Sequence, residues 1–438
     1  MKLRKFGEDF IHYYLRIFAK LQLYKTKPVI VGIGGASGKS SLTHLIYLIL
    51  SDRSKVLYSP GRNSSTGIPL SILGIDLAGY SYYDWFKLLF ISVWKLLTNW
   101  KRYDYYLAEM GIDGPNEPKN MSYLLKIIKP QIGVLTNISF EHSVYFEDYV
   151  SGSPEEKEKK IFDLTAEEER LLLLNSKEYV ILNMDDQEIR KVFKTLKLKE
   201  ITVSQKDSDL RIAKVKTSLS GFEAEFEHLN KNYTLKLSQP LTEHYSYSIA
   251  LAIAVCLSLG VPIEESIDAI ERKFALPNGR MSVFKGIKGT TIIDSSYNSS
   301  PIPLFNMLDF LKEIKGRRVA ILGDMRELGI LSQKFHEEAA RKIIETCDSA
   351  ILIGPLMKEF AYPILSKAKF NAFSFDTFAE AKGSILNSIK EGDVILVKGS
   401  QNTLFLERAV EMLLKDKKDV NNLCRRGKYW DKRRDRTL

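Results

Sequence analysis

The spacing of apolar residues along the first half of the chain predicts helices that alternate with buried strands. Residues 8–24 carry apolar side chains at helical spacing, and the segment after them, VIVGI, is typical of a buried strand. A glycine-containing stretch, GGASGKSS, then leads into the helical pattern LTHLIYLIL. Later strand-like runs are VLYS, YLAEM, IGVLTNI and YVILN, with helical patterns between them. Because strands that alternate with helices form parallel sheets, we predict a central α/β domain with a mostly parallel, doubly wound sheet.

The pattern changes in the second half of the chain. Residues 208–238 alternate apolar and polar side chains, which predicts a small antiparallel element at one edge of the sheet. After a helical pattern at 244–275, the runs TTIIDSSYN, RRVAILGDM, SAILIGP and GDVILVKGS indicate a C-terminal Rossmann-like α/β domain. The predicted order is an N-terminal helix and linker (1–27), a central domain with a phosphate loop (28–277), the C-terminal domain (278–414) and a basic tail (415–438).

The most apolar stretch, residues 84–100, is not expected to cross a membrane. Lys87 and Lys95 interrupt it, and it is shorter than the roughly 20 residues that a transmembrane helix needs. Its three tryptophans beside lysines are compatible with a helix that lies on a membrane surface. A helix packed inside the protein or against a partner subunit is an equally good interpretation.

Composition restricts the class of protein. The 438 residues are 45% hydrophobic and 27% charged, as in a globular protein of two or three domains. The three cysteines lie far apart, without the spacing of a zinc site or a disulfide framework. The N-terminus has no secretory signal pattern, so we expect a cytoplasmic protein, with peripheral contact at the inner membrane face as an open extension.

The basic charge is concentrated at the C-terminus. Residues 415–438 hold ten Lys/Arg and four Asp, which accounts for +6 of the net charge of +10. One interpretation of this tail is a solvated, poorly ordered terminus. The other is a contact for nucleic acid or anionic lipid, although no specific nucleic acid is predicted as a partner.

The stretch between the first predicted strand and its helix has the parts of a phosphate-binding loop. Small residues leave backbone N–H groups accessible, a helix N-terminus attracts anions, and a lysine can neutralise phosphate charge. The hydroxyl group after the lysine ligates Mg²⁺ in such loops. The spacing GxxGKS is shorter than the common GxxxxGKS, so a simple glycine turn is the alternative. The residues predicted to bind a nucleotide are Gly35, Ala36, Ser37, Gly38, Lys39, Ser40 and Ser41.

Two further polar residues follow predicted strands, at the end of the sheet where α/β proteins bind ligands. Glu109 lies in YLAEM and is a candidate metal ligand, and His142 comes just after IGVLTNI. Considered alone, each of them would more often be an ordinary capping or surface group.

Taken together, the motifs resemble those of the Mur ligase family. In chain order they are GGASGKSS, SPGRNSSTGIPLSIL, LAEMG, GVLTNISFEH, VILNMDD, LPNGRM, IIDSSYNSSP, ILGDMRELG with His336, and GDVILVKGS. The resemblance extends over about residues 28–412 and is closest to the members that add D-alanyl-D-alanine. The segments DSSYNSSP, GDMRELG and LVKGS are the specific ones, because many unrelated nucleotide-binding enzymes share a phosphate loop.

The resemblance implies an ATP-dependent acid–D-amino-acid ligase that uses Mg²⁺. In this family a carboxylate attacks the γ-phosphate, an acyl phosphate forms, and an amine displaces phosphate. Closure of two domains would exclude water from the acyl phosphate, and Arg280 of NGRM would reach the phosphates from the second domain. The implied nucleotide contacts are Lys39, Arg280, Tyr297 and Asn298, and the implied metal ligands are Ser40, Glu109 and His142.

Two of the departures from the family pattern concern the carrier and the metals. About 30 residues precede the phosphate loop, where relatives carry a domain that binds the uridine nucleotide, so the carrier is expected to be held differently or not to be a UDP-sugar. The family also has a carbamylated lysine that bridges the metals, and Glu169 lies about where that lysine is expected. Glu169 is therefore a candidate catalytic residue and metal ligand. The alternative is that Glu169 is one charge of a solvated helix and that Lys157, Lys159 or Lys160 is the modified residue.

Three functional hypotheses follow. The first is an ATP-dependent ligase that adds D-alanyl-D-alanine or another amino acid to a carboxylate-bearing peptidoglycan precursor. The second is a Mur-type ligase for another carboxylate, such as a lipid-linked precursor, a folate or a polyamino acid. The third is a nucleotide-binding scaffold protein without turnover, against which the intact Lys39, Glu109, His142 and Arg280 argue. The sequence leaves the amine, the carrier and the oligomeric state open.

Overall fold

Two α/β units make up the chain in the computed structural model, which describes residues 2–77, 82–140, 143–193, 195–400 and 404–435. The first unit comprises Met1–Lys214, Glu225–Leu235 and Ser246–Phe274. The second comprises Val215–Ala224, Lys236–Tyr245 and Ala275–Leu438. The last and longest segment of the second unit therefore begins at Ala275, two residues before the boundary predicted at 277.

The first sheet has nine strands in the described part of the chain. They are β1 (Val29–Gly34), β2 (Val56–Tyr58), β3 (Tyr105–Glu109), β4 (Ile132–Leu135), β5 (Tyr179–Asn183), β6 (Lys199–Ser204), β7 (Leu210–Ser218), β8 (Gly221–His228) and β9 (Lys231–Leu237). Their order is β2-β3-β1-β4-β5-β6-β7-β8-β9, and the neighbours from β2 to β7 are parallel. The connections within β7-β8-β9 are only two residues long, which antiparallel neighbours alone permit. The antiparallel edge predicted for residues 208–238 is confirmed.

Helices cover both faces of the parallel strands, and this explains why VIVGIG in β1 is almost entirely buried. The helix Pro154–Leu174, labelled α6, begins with a capping box between Ser153 and Glu156, with proline as its first residue. The helices up to residue 274 are α1 (Lys2–Thr26), α2 (Lys39–Leu50), α3 (Gly67–Leu73), α4 (Tyr82–Thr98), α5 (Met121–Ile127), α6 (Pro154–Leu174), α7 (Gln187–Phe193), α8 (Tyr245–Ser258) and α9 (Ile263–Lys273).

The second sheet confirms the predicted C-terminal α/β domain. Its strands are β10 (Ser282–Lys285), β11 (Thr291–Ser295), β12 (Arg318–Gly323), β13 (Ser349–Ile353), β14 (Ala372–Phe375) and β15 (Val394–Lys398). Their order is β10-β11-β15-β12-β13-β14, and β10 is antiparallel to β11 while the other neighbours are parallel. The helices are α10 (Pro301–Lys312), α11 (Ser332–Thr346), α12 (Tyr362–Lys367), α13 (Phe378–Ser388), α14 (Glu407–Leu413) and α15 (Lys428–Asp435).

The segment after residue 414 is part of the second unit. A short 3₁₀ helix covers Lys417–Asn422, and α15 follows it. Between these two elements, Leu423, Cys424 and Arg425 are buried. The interpretation of 415–438 as a solvated terminus is therefore wrong for these three residues.

The apolar segment at 84–100 forms most of α4. One face of this helix packs with Leu15 and Leu73 in a small apolar cluster, to which α4 contributes Leu88. The opposite face is exposed at Phe90 and Trp94. Among the described residues no helix is long and apolar enough to cross a membrane, as the sequence predicts.

Candidate active site

The phosphate loop lies at the carboxyl end of β1, where the chain turns into α2. Residues 35–38 form the loop, and the helix begins at Lys39. Gly35 and Gly38 have φ angles of 109° and 85°, which residues with a side chain rarely adopt. A Cβ atom at Gly35 would also clash with the hydroxyl group of Thr136, directly after β4. The loop therefore needs glycine for both its conformation and its close approach to the neighbouring strand.

The N-terminus of α2 is open to an anion. Gly38 is its N-cap, and no described side chain caps the helix, whose third residue is Ser41. The first N–H groups of a helix have no partner within it and attract negative charge. Lys39 Nζ donates to the carbonyl oxygens of Gly35 at 2.5 Å and Ala36 at 2.7 Å, which holds the ammonium group against the loop. Backbone donors and a cation together suit a chain of phosphate groups.

A hydroxyl group and a carboxylate meet beside the loop. Ser40 Oγ lies 2.9 Å from Oε1 and 3.1 Å from Oε2 of Glu109, to which it donates. Glu109 is buried at the end of β3, the neighbour of β1. These oxygen atoms are ligands that Mg²⁺ prefers, so the pair fits the predicted metal site. No group of three or more His, Cys, Asp and Glu residues is placed to hold a metal in the described part of the chain.

Asn137 and Glu169 hold the loop through its backbone N–H groups. The carbonyl oxygen of Asn137 accepts from Ala36 N at 2.9 Å, and its Oδ1 accepts from Ser37 N at 3.1 Å. Glu169 Oε2 accepts from Gly35 N at 2.8 Å. Three consecutive loop N–H groups therefore have partners outside the loop, which determines its shape.

Glu169 and the three candidate lysines lie in different surroundings, although all four are on α6. Glu169 is 3% exposed, so it is not one charge of a solvated helix. Lys159 and Lys160 are exposed, and Lys157 is half-buried. The role of Glu169 as a metal ligand stays a prediction. His142 lies outside the described residues, so its role stays a prediction as well.

In the second unit, Arg280 and Tyr297 lie together. The guanidinium carbon of Arg280 is 4.9 Å from the centroid of the Tyr297 ring, the distance of a cation–π contact. Tyr297 N donates to the carbonyl oxygen of Gly279 at 3.1 Å, which connects the NGRM and DSSYN segments. The exposed Asn298 accepts with its carbonyl oxygen from Lys398 Nζ at 2.8 Å. The three residues predicted to contact the nucleotide from this domain are therefore close together.

A buried cluster of charges supports this backbone. Arg425 pairs with Glu407 through two hydrogen bonds, Nε to Oε1 at 3.0 Å and Nη2 to Oε2 at 2.7 Å. The same guanidinium donates to the carbonyl oxygens of Ser296 at 2.7 Å and Tyr297 at 2.8 Å. Asp294 Oδ1 accepts from Ser296 N at 2.9 Å, whereas its Oδ2 has no hydrogen-bond partner among the described residues. Burial raises the pKa of Asp294 to about 6.

Three residues that hold these two regions are not among the predicted site residues: Asn137, Glu407 and Arg425. Asn137 follows a strand just as Glu109 ends one, so the strand-end position could have identified it. Glu407 begins α14, where an acidic residue is ordinary. Arg425 is one of ten basic residues in 415–438, and no local pattern distinguishes it from the others.

The fold and the site define an α/β protein with the phosphate loop of a nucleotide-binding enzyme and a second, Rossmann-like domain. Residues 33–256 match the Mur ligase middle domain, and residues 279–401 match the Mur ligase glutamate ligase domain. The chain belongs to the Mur ligase family.

Curated relatives agree with this assignment, and a solved structure shares the fold. The chain is 26% identical over 399 residues to the UDP-N-acetylmuramoyl-tripeptide–D-alanyl-D-alanine ligase of Buchnera aphidicola subsp. Baizongia pistaciae, covering 90% of the chain and 76% of the relative. It is 25% identical over 397 residues to the ligase of the same name from Borreliella burgdorferi, covering 88% and 75%. The crystal structure of MurF ligase from Thermotoga maritima in complex with ADP has a TM-score of 0.72 at 23% identity, covering 92% of this chain and 83% of that one. The predicted fold class is confirmed.

Proposed function

We propose that this chain is an ATP-dependent carbon–nitrogen ligase that adds D-alanyl-D-alanine to the carboxyl end of a peptidoglycan precursor through an acyl phosphate. The observation that carries the proposal is the contact of Ser40 with the Glu109 carboxylate beside a phosphate loop that holds Lys39. The phosphate loop alone indicates nucleotide binding in general. Membership of the Mur ligase family narrows the proposed activity to amide ligation. The curated relatives are named for D-alanyl-D-alanine and a UDP-linked tripeptide, so these are the leading substrates.

The residues of the loop suit the transfer of a phosphoryl group to a carboxylate. This reaction brings two anions together, so the protein must position them and offset their charge. Lys39 supplies a cation beside the phosphates, and the N-terminus of α2 supplies backbone donors. Ser40 and Glu109 would hold Mg²⁺, which withdraws charge from phosphate oxygens when bound.

The proposed roles of the remaining site residues rest on their places in the fold. Glu169 keeps the N–H of Gly35 in place. Glu169 and His142 are proposed as metal ligands in addition to Ser40 and Glu109. Arg280 and Tyr297, which contact each other in the second unit, are proposed to bind the nucleotide with Asn298. The paired Arg425 guanidinium positions the backbone that carries Tyr297 and is not expected to contact substrate.

The test is a direct assay of the complete reaction. Purified protein is incubated with ATP, Mg²⁺, D-alanyl-D-alanine and UDP-N-acetylmuramoyl-tripeptide, and phosphate release and product mass are followed. The expected result is a product heavier by the dipeptide, with one ADP formed for each bond, and no product when Mg²⁺ is chelated. Nucleotide binding without this product would contradict the proposed substrates and favour another carboxylate, such as a lipid-linked precursor, a folate or a polyamino acid.

A cytoplasmic location with membrane contact through residues 84–100 is a separate proposal. It is favoured by α4, which leaves Phe90 and Trp94 exposed while its opposite face is packed. Loss of activity is not expected when this contact is removed, because none of the site residues lies on α4.

A further inference from the structure

Helix α1 exposes an apolar stripe. Its buried residues include Leu15 and Ala19, and the exposed apolar residues recur every three or four positions, so they share one face. A helix on the surface of a globular protein normally presents polar side chains to water, so this face is unusual. The exposed residues are Phe10, Tyr13, Ile17, Leu21 and Tyr24.

Helix α4 has the same property in stronger form. Its buried side includes Leu88 and Ser92, and its exposed stripe is again spaced by three or four residues. Trp94 is 67% exposed and Leu97 is 65% exposed, values that are far outside the range of core residues. The exposed residues are Phe86, Phe90, Val93, Trp94 and Leu97.

The two helices lie side by side and run parallel. Three side chains of α1 donate to backbone carbonyl groups in and just after α4: Tyr14 Oη to Leu89 at 2.5 Å, Gln22 Nε2 to Asn99 at 2.9 Å, and Lys25 Nζ to Leu96 at 2.5 Å. From Tyr14, midway along α1, to Lys25 near its end, the partners on α4 advance from Leu89 to Leu96, so the two helices run in the same direction. Lys25 Nζ also lies 4.4 Å from the ring centroid of Trp100, which extends the contact past the end of α4.

The two stripes face the same way. Each residue of a helix is rotated by about 100° from the one before it. On each helix, the exposed stripe lies about a quarter turn around the axis from the face that contacts the other helix. The direction of this rotation on α1 is opposite to that on α4. For parallel neighbours, opposite rotations bring both stripes to one side. The stripes therefore form one continuous surface, which we call the α1/α4 surface.

The charge around the α1/α4 surface is mainly basic, and the acidic residues Glu8, Asp9 and Asp84 lie before its first exposed rings on the two helices. Residues 10–27 and 85–103 together hold eight Lys/Arg and no Asp/Glu. Exposed aromatic side chains next to cationic ones are the composition that binds the interface of a bilayer, where rings enter the headgroup region and lysines contact lipid phosphates. A protein partner or a second copy of the chain would need an apolar face as large as the α1/α4 surface. The surrounding positive charge would have no specific role in such a contact.

We propose that the α1/α4 surface binds the headgroup region of an anionic lipid bilayer. The contact is peripheral, because no described helix is long and apolar enough to span a membrane. It adds α1 to the contact proposed for residues 84–100, and it does not depend on which amine or carrier the enzyme uses.

The test measures binding of the full chain to vesicles. Vesicles of phosphatidylcholine mixed with phosphatidylglycerol are compared with vesicles of phosphatidylcholine alone, by co-flotation at low and high salt. Binding to the mixed vesicles is expected, with weaker binding to the neutral ones and at high salt, because screening reduces the attraction of exposed lysines to anionic lipid. Absence of binding to the mixed vesicles would overturn the proposal.

Matched variants separate this surface from general stickiness. The double variant Phe90→Gln/Trp94→Gln is expected to bind at least about tenfold more weakly, since it removes two rings from the surface. The control Leu229→Asn removes an apolar side chain that is 86% exposed elsewhere in the first unit, and asparagine tolerates the φ of 49° at that position. This control is expected to bind like the wild type. Equal binding by the double variant would overturn the proposal.

Two further measurements keep the outcome clear if the double variant folds poorly. Lys20→Gln/Lys101→Gln changes only exposed cations and is expected to reduce the preference for phosphatidylglycerol. Phosphate release without vesicles is expected to be unchanged in every variant, so that failure of the lipid proposal and failure of the ligase proposal can be told apart. A wild-type dimer that becomes monomeric in the double variant, without vesicle binding, would assign the surface to a second copy instead.

Discussion

The phosphate loop of the first unit and the Asp294–Glu407–Arg425 cluster of the second unit contain similar groups but use them differently. In the loop, Lys39 and Ser40 are half-buried, and the N-terminus of α2 has no side-chain cap among the described residues. In the cluster, the Arg425 and Glu407 side chains are at most 2% exposed and pair with each other. A charged group that remains accessible can bind a ligand, whereas one that is paired and buried can only position the groups around it.

The two regions also differ in which part of the chain holds them. The loop is held by the strand end at Asn137 and by Glu169, both within the segment that matches the Mur ligase middle domain. The cluster depends on Glu407 and Arg425, which lie beyond residue 401, where the match to the second family domain ends. Part of the support for the family motif DSSYN therefore comes from outside the matched region.

The largest effect is expected at the phosphate loop, where the charged groups remain accessible. Lys39→Ala should reduce turnover by about a thousandfold or more, because it removes a cation beside the transferring phosphoryl group. The free energy of unfolding should change little, since Lys39 is half-buried and donates only within its own loop. Steady-state phosphate release and urea unfolding measure the two effects. Lys214→Ala, which removes an exposed positive charge on β7, serves as the control, and wild-type turnover in Lys39→Ala would refute the site assignment.

On the buried side, Arg425→Ala should lower the free energy of unfolding by about 3–5 kcal/mol. It leaves the Glu407 carboxylate buried without its partner and removes two donors from the carbonyl oxygens of Ser296 and Tyr297. The matched control is Arg426→Ala, whose partner Glu411 is 40% exposed, and there we expect a loss of about 1 kcal/mol or less. Urea unfolding of both variants measures the two losses in the free energy of unfolding. Similar losses for both variants would show that burial does not distinguish the two pairs.

The contrast between the two regions explains what the sequence could predict. The phosphate loop is a local pattern of strand, small residues and helix, so its position and its conformation follow from neighbouring residues. The Arg425 contacts join residues that are 18 and 129 positions apart, and nothing near Arg425 indicates its partners. In the same way, residues 84–100 are recognisable as an amphipathic helix, but the alignment of its exposed stripe with that of α1 depends on tertiary packing.

A smaller effect is expected from the titration of Asp294. Its pKa is raised from 3.8 to about 6, mainly by burial and also by nearby Glu407, while the hydrogen bonds from Ser296 and the charge of Arg425 act in the opposite direction. Between about pH 4 and pH 6 the unfolded state loses this proton first, so the free energy of unfolding falls as the pH rises and stays lower above pH 6. In Asp294→Asn, the decrease in the free energy of unfolding from pH 4 to pH 7 should be smaller than in the wild type by about 1–3 kcal/mol, as measured by urea unfolding at both pH values. An unchanged difference between the two pH values would contradict the assignment.

The smallest expected effect decides between Glu169 and the lysines on the same helix. Glu169→Gln keeps the shape of the side chain but weakens its hydrogen bond with Gly35 N and removes a charge next to the proposed metal site, so turnover should fall by about tenfold or more. Lys160→Ala should change turnover less than about twofold, because Lys160 is exposed and donates to a backbone carbonyl away from the loop. The Mg²⁺ dependence of both variants shows whether the lost charge acts through the metal. The reverse result, a large loss in Lys160→Ala and none in Glu169→Gln, would assign the bridging carboxylate to a modified lysine and leave Glu169 with its loop contact alone.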